Sequence, residues 1–252
     1  MTPEVGPGWE SRSSRLHALR EGERYTPATE ALDSSRAVYG ERLVARRAGW
    51  WRRWDPYRSK PAAALLRGYS GPLPQAGETW LYLGAATGTT ASHVADLVGR
   101  DGVVYAVETS LRPFARLLRL AERYPNLLPV LGDARTPESY AGLVPPVDGV
   151  YSDVAQPDQV AIARANSKVF LRDGGPLLIA LKLSSMRRNV PPEALEERAK
   201  IELRPLRSVS PTVGLEPFHR QHRFLAFRQS PAPNRSFGPS KTRRRDPAGR
   251  RR

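Results

Sequence analysis

The chain has 252 residues, with 40 lysines and arginines against 25 acidic residues and a net charge of +15. That length suits one α/β domain with appendages, and a hydrophobic content of 40% is compatible with a real core. There is no cysteine, which excludes disulfides, thiolate nucleophiles and thiolate metal sites, and no run approaches the ~20 apolar residues of a membrane span.

In chain order, residues 1–36 are polar and carry both charge signs, which predicts a weakly ordered extension with a helix over 13–23. Residues 36–54 alternate enough for a short hairpin or two, Asp55-Pro56 punctuates them, and 58–67 then reads as a helix capped by Ser59. Residues 37–78 thus form a small β-rich lead-in with a linking helix. From Thr79 on, strands are expected at 79–83, 102–108, 127–131, 147–153, 176–182, 201–209 and 223–228. Helices are expected at 92–98, 113–123, 137–143, 157–170 and 192–200. This alternation predicts an α/β domain over 79–229 whose seven-stranded sheet is mostly parallel, with the last two strands antiparallel at one side. Past Gln229, proline, glycine and serine give way to two arginine triplets, and residues 230–252 read as a disordered basic tail. A charge surplus of this size favours a polyanion, most commonly nucleic acid.

Ligand-like segments end four of these strands. Gly84-Ala-Ala-Thr-Gly88 is a glycine turn that lets a ligand come against backbone, although a tight strand-to-helix connection asks for the same residues. It is not the G-x-G-x-x-G fingerprint of nicotinamide or flavin sites. Glu108 follows about twenty residues later, the spacing at which a carboxylate can grip ribose hydroxyls. Gly132-Asp133-Ala134 can accept an adenine amine, and Asp153-Val-Ala-Gln156 ends the fourth strand. The carboxyl ends of parallel strands are where open α/β sheets bind ligands, so the four together point to a nucleoside-containing cofactor.

These residues resemble the fibrillarin family of S-adenosylmethionine-dependent RNA 2′-O-methyltransferases, most closely its archaeal form. The resemblance runs from about Val38 to Arg228. It rests on the segments 82–96, 102–108, 132–135, Ser152-Asp-Val-Ala-Gln-Pro-Asp-Gln159 and Leu215-Glu-Pro-Phe218, with 39–43 and 55–60 ahead of them. It implies a Rossmann-like class I methyltransferase fold and S-adenosyl-L-methionine as cofactor. The implied contacts are Gly84, Ala85, Thr89 and Thr90 in the turn near the methionine end, and Glu108 with Thr109 at the ribose. Asp133 and Ala134 would meet the adenine, and Asp153, Val154, Ala155 and Gln156 would line the side facing the methyl. The family's Lys-Asp-Lys-His set falls on Lys60, Asp153, Lys182 and His222. No metal is expected, because a sulfonium methyl is already electrophilic. The resemblance further implies a box C/D guide RNA, an rRNA or tRNA target, a Nop5-type scaffold and an L7Ae-type kink-turn protein. It also implies a cytoplasmic location in an archaeal-type cell, with no membrane partner.

Lys182 is the expected proton acceptor, provided burial or a neighbouring cation makes the ammonium give up its proton near neutrality. Two departures stand out: Pro61 follows Lys60, and His219-Arg-Gln-His222 replaces a more acidic stretch. His93 reads as a helix-start residue and His219 as a surface one. Trp50, Trp51 and Trp54 can either stack on RNA bases or pack a hairpin onto the core. A small-molecule O-methyltransferase would share the cofactor half, and a non-catalytic RNA-binding subunit would share the fold; the charge and the paired lysines argue against both.

Overall fold

The computed structural model describes residues 8–9, 12–47, 49–186 and 190–228. Two sheets organise them. The larger runs β10-β12-β9-β8-β5-β6-β7, with β11 also paired to β12. Its parallel part is β5 (Thr79–Leu83), β6 (Val103–Glu108), β7 (Leu127–Leu131), β8 (Gly149–Ser152) and β9 (Pro176–Lys182). β12 (His222–Arg228) runs antiparallel to β9, and the two-residue strands β10 (Arg207–Ser208) and β11 (Val213–Gly214) pair with β12. The sheet therefore has eight strands rather than the expected seven. Chain order switches direction at β5, with β6 on one side and β8 on the other, and such switch points open a crevice beyond the strand ends.

Helices cover both faces: α1 (Lys60–Leu66), α2 (Thr89–Val98), α3 (Leu111–Ala121), α4 (Gln159–Phe170) and α5 (Pro192–Glu202). Alternation along β5 sends Trp80 and Tyr82 into one core, with α1, α2 and α3, and Leu81 and Leu83 into the other, with α4 and α5. Two-sided burial explains why these strands read as near-continuous apolar runs.

Four further expectations fail. The helix over 13–23 is instead a hairpin, β1 (Leu16–Glu21) and β2 (Arg24–Glu30), turning through Gly22 at φ 66°. Leu16 and Leu19 are both buried, and their three-residue spacing imitates a helical stripe. The extension expected to be weakly ordered over 1–36 thus supplies half of a four-stranded antiparallel sheet, order β1-β2-β4-β3, with β3 (Leu43–Arg46) and β4 (Gly49–Arg53) from the lead-in region. The strand over 201–209 shrinks to two residues, because Leu195, Ala199 and Leu203 recur at helical spacing, all buried, and extend α5 to Glu202. The helix over 137–143 is a single 3-10 turn, Pro137–Tyr140. The basic tail over 230–252 lies outside the described residues.

The smaller sheet docks on α2 through buried charge. Arg52 is fully buried and meets Asp96 at 2.7 Å, Glu41 at 2.8 Å and the Ser92 hydroxyl at 3.1 Å. Burial opposes its charge, but Asp96, Tyr124 and Glu41 outweigh that and hold the guanidinium above its ordinary pKa. Asp96 also accepts from Thr29 Oγ1 and from the Leu32 N–H. His93 is no simple helix-start residue: it is fully buried, bonded to Thr29 and Tyr39 and stacked on Trp54. Trp54 therefore belongs to the core, Trp51 stacks on His17, and Trp50 is exposed.

Candidate active site at the sheet switch point

The turn after β5 is shaped by backbone that few side chains tolerate. Gly84 and Gly88 sit at φ 78° and 90°, and Ala86 between them at φ 49°. A Cβ on Gly84 would lie 2.9 Å from the Asp153 carbonyl oxygen, and one on Gly88 would strike Leu120 at 2.4 Å. Both glycines are thus required, the first by close approach to the end of β8, the second by the packing of α3. The turn is tied to the end of β6: the N–H groups of Gly84 and Ala85 donate to the Val107 carbonyl, and that of Ala86 donates to Glu108 at 2.8 Å. The other Glu108 oxygen accepts from the Ser110 N–H at 2.8 Å. Two backbone donors orient this carboxylate and leave it lone pairs for a ligand.

A cavity of about 240 Å³ opens here, lined by Gly84, Glu108, Thr109, Asp133, Ala134 and the whole Asp153–Gln156 segment. Most of the expected cofactor contacts therefore share one space. Three do not line it. Ala85 is buried under the turn, Thr90 is buried with its hydroxyl on Ser59, and Thr89 opens on a neighbouring cleft. Arg135, which the sequence reading left without a role, closes the rim by donating to Asp158 at 2.9 Å and to the Gln156 side-chain Oε1 at 3.0 Å.

Beside the cavity lies a cationic cluster. Lys60, first residue of α1, meets the Asp153 carboxylate at 2.7 Å, and Tyr151 donates to the same carboxylate at 3.3 Å. Proline at 61 leaves this intact, since a first-turn residue has no intrahelical N–H bond to lose. Lys182 ends β9 and faces His222, the first residue of β12, in register. The Gln159 side chain clamps the Lys182 backbone, accepting from its N–H at 2.8 Å and donating to its carbonyl at 2.9 Å. Lys182 has no carboxylate partner among the described residues.

Burial holds His222 below the ordinary histidine pKa, and Lys60 and Lys182 pull the same way, against the Arg220 carbonyl and Asp153. The four residues carried over from the resemblance thus form one electrostatic neighbourhood. His219 joins them, contrary to the surface role expected of it. It is half-buried, its ring is 5.8 Å from that of His222, and its Nε2 is buried with no partner among the described residues. Burial lowers its pKa first, followed by Lys60 and His222, against the Pro56 carbonyl, which accepts from the ring, and Asp153. Its spacing of three from His222 was legible, but the orientation of the loop was not.

A glycine turn and successive strand-end carboxylates at the switch point of a mostly parallel sheet define a Rossmann-like class I methyltransferase. The family profile described as Fibrillarin matches residues 11–230. The fibrillarin-like rRNA/tRNA 2′-O-methyltransferase of Methanopyrus kandleri is 42% identical over 207 residues, covering 81% of this chain and 89% of that protein. The crystal structure of Aeropyrum pernix fibrillarin with natively bound S-adenosyl-L-methionine superposes with a TM-score of 0.77 at 40% identity, over 84% of this chain and 94% of that one. A fibrillarin/Nop5p complex matches with a TM-score of 0.77 at 36% identity, over 86% and 98%. The chain belongs to the fibrillarin family.

Proposed function

We propose that the chain is an RNA 2′-O-methyltransferase that uses S-adenosyl-L-methionine to methylate ribose in rRNA and tRNA. The observation that carries this reading is the Lys60–Asp153 ion pair beside the cofactor-sized cavity, with Lys182 and His222 facing one another at its edge. The relatives named above support the reaction, the cofactor and a scaffold protein of the Nop5 type.

The cavity fits the cofactor on its own chemistry. Glu108, fixed by two backbone donors, would hold the ribose hydroxyls, with Thr109 beside it. Asp133 and Ala134 would meet the adenine, and the methionine end would lie along the turn toward Thr89 and Thr90, beyond the cavity that Asp133 and Ala134 border. Val154, Ala155 and Gln156 would line the side facing the methyl. When bound, S-adenosyl-L-methionine supplies a methyl group on a sulfonium sulfur, electrophilic without a metal.

The remaining chemistry falls to the protein. A 2′-hydroxyl is a poor nucleophile and must lose its proton as it attacks. Lys60 is committed to Asp153, which leaves Lys182, reacting as the free amine, to take that proton and become the ammonium. Asp153 orients the Lys60 ammonium, offsets the positive charge that Lys182 gains with the proton, and is itself held by Tyr151. His222, with a pKa below the ordinary value, stays uncharged at neutral pH and adds no further positive charge. Positioning of the hydroxyl supplies much of the remaining rate. A small-molecule acceptor would need a closed apolar pocket, whereas Lys60, Lys182, His219 and His222 line this side.

Target choice is delegated to a box C/D guide RNA, held by a Nop5-type scaffold and an L7Ae-type kink-turn protein. The test is transfer of labelled methyl from S-adenosyl-L-methionine to RNA, first by the chain alone and then with scaffold, kink-turn protein and guide. Methylation of one guide-specified ribose only in the full assembly is the expected result. Cofactor binding with no transfer to RNA in any combination would overturn the reading.

A further inference from the structure

A second cleft, of about 490 Å³, adjoins the cofactor turn. Its wall includes Arg36, Arg58, Arg116, Arg119 and Arg123, and no acidic residue lines it among the described residues. Three separate segments bring these guanidiniums together. On α3 and the turn after it, Arg112, Arg116, Arg119 and Arg123 recur at intervals of four, three and four, one face of a helix. Opposite them, Arg36 comes from the loop after β2, and Arg58 lies two residues before the start of α1.

The frame of the cleft is fixed. Arg123 pairs with Asp33 and donates to the Arg36 carbonyl, which ties that loop to α3. The Glu41 carboxylate accepts from the N–H groups of Val38 and Tyr39, and Arg58 lies over the Tyr39 ring, 5.9 Å from its centroid. Some arginines elsewhere are neutralised in place, such as Arg52, Arg53, Arg135 and Arg223, each with a carboxylate partner. Arg36, Arg58, Arg116 and Arg119 are exposed and have none among the described residues. Like charges gathered this way repel one another unless an anion joins them.

We propose that this cleft is a phosphate-binding track for the RNA strand that delivers its ribose to Lys182, a proposal that rests on the RNA reading of the acceptor site. The guanidinium fork suits phosphate oxygens, and five guanidiniums from three segments match the repeated charge of a nucleic-acid backbone. Position supports the same occupant. Arg58 lies two residues before Lys60, and Ser59 between them bonds Thr90 of the cofactor turn at 3.0 Å. A strand on these arginines therefore continues directly into the acceptor site.

The test compares Arg116→Gln with Arg119→Gln against a charge-matched control, Arg164→Gln with Arg198→Gln. Both control residues are exposed, on α4 and α5 over the other face of the sheet. Full-length proteins are titrated with a fluorescently labelled RNA oligonucleotide over a salt series, and separately with S-adenosyl-L-methionine. The cleft variant is expected to bind RNA about three- to tenfold more weakly and to flatten the slope of log affinity against log salt by about one to two. The control should change neither, and cofactor affinity should hold in both. Equal weakening in both variants would overturn the proposal by assigning the effect to net charge, and so would unchanged RNA affinity in the cleft variant. Loss of cofactor affinity alone, or loss of Nop5-type scaffold binding alone, would overturn it too, by assigning the arginines to the cofactor or to protein. If the unaltered protein methylates no RNA while the cleft variant still loses RNA affinity, the catalytic reading fails and the cleft stands.

Discussion

The two sheets are held by opposite means. The larger is fixed by apolar side chains on both faces, with Trp80 and Tyr82 on one side and Leu81 and Leu83 on the other. The smaller is docked on α2 by a dry polar network in which Arg52, Glu41, Asp96, Ser92 and His93 are all buried. Apolar burial is non-directional and tolerant, whereas a buried charge network stabilises only when every partner is in place. Lys60, the partner of Asp153, sits at the junction as first residue of the helix that follows the smaller sheet, so the polar dock also positions that ion pair.

Removing one partner should break this contrast most severely. Asp96→Ala leaves Arg52 with one carboxylate and Thr29 without its acceptor, and should cost about 3–5 kcal/mol of stability in denaturant unfolding. A loss under about 1 kcal/mol would mean the dock is as forgiving as a surface ion pair. In the larger sheet the corresponding weak point is backbone. Gly84→Ala forces a side chain into left-handed conformation against the Asp153 carbonyl, at a cost of about 1–3 kcal/mol, and should weaken cofactor binding with it. Unchanged cofactor affinity by calorimetry would show that the turn does not shape the cavity.

Acid should act through the polar dock as well. Burial first, then Arg52, holds His93 far below the ordinary histidine pKa, so it stays neutral when folded and gains a proton when unfolded. Its stabilisation is full above pH ~6.5 and is lost as pH falls below that, by up to about 1.4 kcal/mol per pH unit. His219 and His222, also lowered, act in the same direction. Melting temperatures that stay flat between pH 7.5 and 5 would contradict this. The smallest effect is expected at the acceptor side. His219→Gln should slow methyl transfer by about tenfold or less and leave cofactor affinity unchanged, since its unpartnered Nε2 lies among the acceptor-side residues. A change in cofactor affinity without a change in transfer would remove it from that side.

The same contrast decides what the sequence made legible. β5 to β8 announce themselves by apolar runs closed by glycine or carboxylate, and the four strand-end segments follow from them. Lys60, Asp153, Lys182 and His222 came from the resemblance, and the fold does bring them together. The smaller sheet was hidden because its partners are remote and polar. Thr29 and Asp96 are 67 positions apart, Arg52 and Asp96 44, and local patterning holds no trace of either contact. The hairpin over 16–30 was missed for the same reason, since what buries Leu16 and Leu19 comes from elsewhere in the chain. His219, Arg135 and the arginine cleft depend on how loops face one another, which periodicity does not encode.

The central claim is that cofactor binding and proton removal reside in separate groups on either side of Asp153. Its most direct test is Lys182→Ala in the reconstituted assembly, measuring single-turnover methyl transfer to the guide-specified ribose alongside a calorimetric titration of S-adenosyl-L-methionine. Transfer should fall by about a hundredfold or more with cofactor affinity unchanged. Full turnover in the variant, or a cofactor affinity that falls as far as the rate, would contradict the account.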